Sequence, residues 1–214
     1  MQATATLPTD YCRQATLDLS KSRKAVVGAV VSGIVLLITA GWLLVQLTHL
    51  LRPTAFEGMM LRDILTTTPR NTSITLPFQL IVDAIVAVVS VMLIHELVHG
   101  VFFWRFAGQR PAFDIKGLFV YVAGPPEVYF PRNQYLVVGM APLVLLTLVG
   151  LLLMIIVPVG VVPVITLFIA FNVAGAAGDL QMFAWLLSYS SDTLMQDSGT
   201  SVIVYGPVKS RKAA

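Results

Sequence analysis

Four stretches of this chain carry almost no charge for longer than a bilayer is thick. They are read as about Ala25 to Leu51, Pro77 to Phe106, Tyr135 to Gly160 and Val161 to Leu187. A helix needs about 20 apolar residues to cross the hydrocarbon core, and only helices or closed barrels satisfy their backbone groups there. Four runs of that length predict a polytopic membrane protein. Composition agrees, with 57% hydrophobic residues, 12% charged residues and a mean hydropathy of +0.82. A soluble domain carries about twice that charged fraction.

The expected fold class is an all-α bundle of about four transmembrane helices, with one short β-hairpin between the second and third. The chain divides into an N-terminal tail (1–24), a first span (25–51), an outer loop (52–76), a core (77–187) and a C-terminal tail (188–214). The first apolar run is too long and begins too late for a cleavable signal peptide. Within the core, the segment 107–134 changes character. Phe113 to Val122 and Val128 to Phe130 are rich in β-branched and aromatic residues around the turn signal "AGPPE", which predicts a hairpin. Pro142 is expected to kink the third span, and the Pro158 to Pro163 stretch to turn tightly into the fourth. A short amphipathic helix is expected around "FEGMMLRDIL" in the outer loop.

Orientation follows from Lys and Arg placement. Arg52, Arg62 and Arg70 fall in the outer loop, whereas Arg13, Lys21, Arg23, Lys24, Arg105, Arg110, Lys116, Arg132, Lys209, Arg211 and Lys212 fall on the other side. That asymmetry puts both termini in the cytoplasm. The net charge of +3 is spread around span ends and makes no basic stripe with interleaved aromatics, which argues against nucleic-acid binding. Cys12 is the one cysteine, so there is no internal disulfide and no cysteine-based zinc site.

Against that background the second span contains "LIHELVHGVFF". His95 and His99 are four residues apart, so on a helix both imidazoles share one face and can converge on one metal ion. Glu96 projects further round, within reach of a metal-bound water without taking a ligand position. Zinc lowers the pKa of such a water toward ~7, and the carboxylate takes its proton. Ionisable groups inside a membrane are costly and mark functional sites. A catalytic zinc also needs a third protein ligand. Asp83 stands three turns from His95 on the same helix, too far to share an ion, and is expected to be a polar contact. His49 stands at the opposite membrane face. Asp179, in "FNVAGAAGDL", falls at the depth of His95 and is the expected third ligand, with Asn172 seven residues earlier. Gly175, Ala176 and Gly178 are small enough to let another helix approach.

Together, "HELVHG", "GMAP" and "FNVAGAAGDL" resemble the site-2-protease type of intramembrane metalloprotease, and especially the bacterial group called "putative zincin peptidases". The resemblance covers roughly Pro77 to Leu187. It implies one Zn²⁺ on His95, His99 and Asp179, with Glu96 as general base, and a membrane protein or membrane-associated peptide as substrate. It also implies that Asn172 helps to hold the substrate backbone. "GAAGDLQ" departs from the proline-containing, leucine-aspartate-glycine pattern familiar in that class. The expected activity is thus zinc-dependent hydrolysis of peptide bonds at the bilayer. The lipid bilayer is the expected surroundings, and assembly into a homo-oligomer is compatible with the sequence. Two other classes fit less well. A metal-binding scaffold has no use for Glu96, and a metal or proton carrier would need polar residues along spans one and three.

Overall fold

The computed structural model describes residues 2–18, 21–57, 65–68, 71–74, 76–116, 119–199 and 201–208. The structure is mostly helical. Four helical segments are long and apolar enough to cross a membrane: Arg23–Leu51, Phe78–Ala107, Arg132–Ile156 and Val159–Leu186. The first three are the continuous helices α1, α2 and α3. The Ser22 side chain caps the start of α1 by accepting the Ala25 N–H. Gly108 ends α2 in the left-handed conformation, at φ 66°.

The fourth segment is broken. A single 3-10 turn, Val159–Val161, leads into α4 (Val162–Gly175), which gives way at Ala176 to α5 (Ala177–Leu186). At Ala176 ψ rises to 3°, and its N–H bonds to Asn172 O and Ala174 O. Interrupted helices at membrane depth persist where protein surrounds the freed backbone groups, and Ala176 and Ala177 are buried here.

Helix α4 packs against α1, α2 and α3, so the bundle is organised around it. Leu44, Met154, Ile169 and Ala170 form a buried cluster where α1, α3 and α4 meet. Close approach is made by glycines other than those expected. A Cβ on Gly33 would sit 3.2 Å from Ala174 O, and one on Gly150 would sit 2.5 Å from Ile169 Cγ1. A Cβ on Gly175 or Gly178 would meet nothing within 4 Å. These two make no close helix approach of the kind expected of them. At the far end of α1, the Arg52 guanidinium donates to the carbonyls of Met154, Ile155 and Val157, closing the C-terminus of α3.

Three small sheets accompany the helices among the described residues, where an all-α chain with one hairpin was expected. The stretches read as tails supply much of the largest one. Strands β1 (Tyr11–Asp18), β6 (Tyr129–Pro131), β7 (Leu194–Asp197) and β8 (Ser201–Pro207) form an antiparallel sheet in the order β1-β8-β7-β6. "SVIVYGP" alternates buried and half-buried residues along its length, the period of a strand with one covered face. Strands β2 (Leu65–Thr68) and β3 (Asn71–Ile74) pair in the loop after α1. The amphipathic helix expected around "FEGMMLRDIL" falls mainly on residues 58–64, which lie outside the described residues.

A hairpin does join α2 to α3, but with other strands than expected. Strand β4 (Ala112–Lys116) pairs with β5 (Phe119–Ala123), and Lys116 stands opposite Phe119. The apolar run Phe113 to Val122 therefore folds back on itself between Lys116 and Phe119. "AGPPE" instead carries the chain from the hairpin into β6, which pairs with β7. The buried side chains Phe103, Phe130, Tyr135, Leu186, Met195 and Val204 join this sheet to the ends of α2, α3 and α5.

Candidate metal centre

Helix α2 holds His95, Glu96 and His99 on adjoining faces of one turn. Both histidines are buried, with ring centroids 4.9 Å apart. Asp179 reaches them from the first turn of α5. The helix break makes this possible, because it starts a new helix whose N-terminal N–H groups favour an anion beside them. Asp179 Oδ2 lies 3.0 Å from His95 Nε2 and 3.6 Å from His99 Nε2. The candidate ligand atoms of the three residues all lie within 4.8 Å of one another.

The other ring nitrogens face acceptors. His95 Nδ1 is 3.0 Å from Asn172 Oδ1, and His99 Nδ1 is 2.9 Å from Val138 O. A carbonyl only accepts, so the proton of neutral His99 belongs on Nδ1. Asn172 Nδ2 faces Pro142 O, Leu143 O and Thr147 Oγ1, at 3.3, 3.4 and 3.3 Å. That fixes the amide's orientation and turns Oδ1, an acceptor, toward His95 Nδ1. Both Nε2 atoms face the Asp179 carboxylate, the side on which an ion would sit.

These residues fit a zinc ion. Two neutral imidazoles and a carboxylate are a common catalytic donor set, and bonds of about 2.0–2.2 Å in tetrahedral geometry space the ligand atoms ~3.4 Å apart. The Nε2 to Oδ2 separations of 3.0 and 3.6 Å bracket that spacing.

Glu96 stands beside the three. One carboxylate oxygen accepts the Val122 N–H at 3.0 Å. Val122 pairs with Phe113 in the hairpin, and its N–H points away from β4, so the outer edge of β5 faces the histidines. Glu96, His99 and Asp179 line a cavity of about 140 Å³ together with Val122, Tyr135 and Asp197. Gly139 and Gly178 line it too, and their missing side chains leave its volume open.

Asp197 went unnoticed in the sequence because it lies in a stretch read as a tail. Its Oδ1 accepts the N–H groups of Gly124 and Gly199, at 3.1 and 2.7 Å, and its Oδ2 accepts the Tyr135 hydroxyl. Gly199 has φ 80°, which suits glycine. Burial pushes the Asp197 carboxyl above the usual carboxylate range, against the opposing pull of these hydrogen bonds.

The remaining candidates stand apart. Asp83 is buried, accepts Gln79 Nε2 at 2.7 Å through Oδ1, and has no partner for Oδ2 among the described residues. His49 packs against Phe56, with ring centroids 6.1 Å apart. Cys12 is a free, exposed thiol in β1. Asn172 is fully buried, with its amide groups used inside the bundle.

A family model described as "Putative zincin peptidase" matches residues 88–194, which takes in His95, Glu96, His99, Asn172 and Asp179. Comparison with curated proteins and with solved structures gave no match.

Proposed function

The chain belongs to the "putative zincin peptidase" family, and on that premise we propose that it is an intramembrane zinc endopeptidase of the site-2-protease type. The convergence of two Nε2 atoms and one carboxylate oxygen carries this reading, with His99, Asp179 and Glu96 on the wall of one cavity. His95, His99 and Asp179 hold the ion. Zinc bound there supplies a Lewis acid that polarises a peptide carbonyl and acidifies a water.

Glu96 is the general base. It is not among the ligands, so its carboxylate is free to take a proton from the attacking water and return it to the leaving amine. A substrate reaches it in extended form, because helical peptide groups are already hydrogen-bonded. The outer edge of β5 offers backbone groups for such a strand. A substrate carbonyl that takes over the Val122 N–H releases the Glu96 carboxylate for proton transfer. Asn172 acts on His95 and leaves the substrate to other groups. The substrates are membrane proteins or membrane-associated peptides, and the site opens toward the cytoplasmic side, where the Lys and Arg residues put both termini.

The test uses purified protein in detergent micelles, a peptide library made by partial digestion of membrane proteins, and mass spectrometry of the products. Wild type carries one zinc per chain and generates new termini. Glu96→Gln retains the zinc and loses cleavage by a factor of about 10² or more. Undiminished cleavage by Glu96→Gln sinks the mechanism. Zinc without cleavage in wild type favours a scaffold.

A further inference from the structure

We infer that Pro142 is a positioning residue of the metal centre, the source of the carbonyl that sets the His99 tautomer. In a regular helix the N–H of residue 142 would bond to the carbonyl of residue 138. Proline has no N–H, and its ring crowds the carbonyl four residues back, tilting it out of the helix. Helix α3 runs unbroken through Pro142, so Val138 O is left without its helical donor. Val138 is buried, at 2% exposure, so water offers that oxygen little. Its partner is His99 Nδ1, at 2.9 Å.

The same stretch serves the second histidine. Asn172 Nδ2 faces the carbonyls of Pro142 and Leu143, and its Oδ1 faces His95 Nδ1. One turn of α3 thus supplies an acceptor to His99 Nδ1 directly and to His95 Nδ1 through Asn172, which leaves both Nε2 atoms to the side of Asp179 and the ion. Hydrogen bonds of this kind orient metal-bound histidines, and their removal weakens metal affinity about 10- to 100-fold. In "GMAP" the proline is therefore a chemical device as well as a bend.

This inference rests on His95 and His99 being ligands, so its test does not use cleavage. Protein labelled with ¹⁵N-histidine, metal-free and in micelles, reports each tautomer by long-range ¹⁵N–¹H correlation. His99 of wild type should carry a proton on Nδ1; a ring protonated on Nε2 alone overturns the inference whatever any variant does. Pro142→Ala restores an N–H that competes for Val138 O. It should keep or raise the metal-free Tm, reduce the Nδ1-protonated share of His99, and weaken zinc binding about 10- to 100-fold. Unchanged zinc affinity in a folded Pro142→Ala protein also overturns it. The pair Pro142→Ala with Leu143→Pro keeps a proline bend but frees Gly139 O instead. Affinity should stay low there, and recovery to the wild-type value would assign the effect to the bend. A wild type that binds no zinc defeats the proposed function, while the tautomer measurement still judges Val138 O.

Discussion

Asp197 shows how one buried carboxylate can hold three elements together. It joins β7 to the exit of β5 through Gly124 and to the start of α3 through Tyr135. Asp197→Ala leaves two N–H groups and one hydroxyl without their acceptor. At about 1–3 kcal/mol for each unsatisfied buried group, it should lower the unfolding free energy by several kcal/mol, read by thermal unfolding in micelles. Asp197→Asn keeps an acceptor and removes the charge, so its effect should depend on pH. The folded carboxyl titrates above the unfolded one. The stability this group contributes is therefore fully present below the unfolded pKa of about 3.9 and is lost as pH rises through the raised folded value. Wild type should lose Tm relative to Asp197→Asn as pH rises above about 4, and a pH-independent difference would contradict the burial argument. The sequence gives little notice of Asp197, because a single acid near a glycine has no periodicity to reveal it. His95, Glu96 and His99 were legible for the opposite reason. Their spacing matches the helical repeat, and the membrane makes three ionisable groups in one turn too costly to be incidental.

At the scale of elements, apolar length predicted the four spans well, with ends within a few residues of α1, α2 and α3. It could not predict that the fourth span breaks at Ala176, since no proline marks the site and "NVAGAAGDL" is equally compatible with a continuous helix. The break matters, because it puts Asp179 at a helix start rather than mid-span. The hairpin was half legible. β-Branched and aromatic enrichment located strands between α2 and α3, but the prolines of "AGPPE" drew the expected turn past the end of β5. Helix contacts offer a further test. A methyl on Gly150 would collide with the body of Ile169, at 2.5 Å from Cγ1. Gly150→Ala should therefore destabilise the bundle by about 1–3 kcal/mol despite the better helix propensity of alanine. Gly175→Ala meets nothing within 4 Å and should not. Equal Tm values for the two variants would mean that α3 and α4 pack less tightly than described.

For the whole molecule, the candidate metal centre lies where two kinds of structure meet. Helices bring His95, His99 and Asp179 together, and the hairpin and the four-stranded sheet complete the cavity wall with Val122 and Asp197. Sheet order was the least legible feature, since its strands come from both ends of the chain and from the segment between α2 and α3. Strand β8 runs between β1 and β7. Deletion of residues 2–18 should expose its backbone edge and lower Tm, and limited proteolysis should then cut near residues 201–208. Resistance to cleavage in that deletion would show that β1 is dispensable. The pairing of Tyr11 with Pro207 has a consequence for engineering. The start of β1 and the end of β8 lie side by side, so a short peptide linker from Pro207 to Tyr11 could close residues 11–207 into a ring. Cut open at the connection around Pro158, that ring would become a circular permutant with the same spans in a new order, and its zinc content would report whether folding depends on which span is made first.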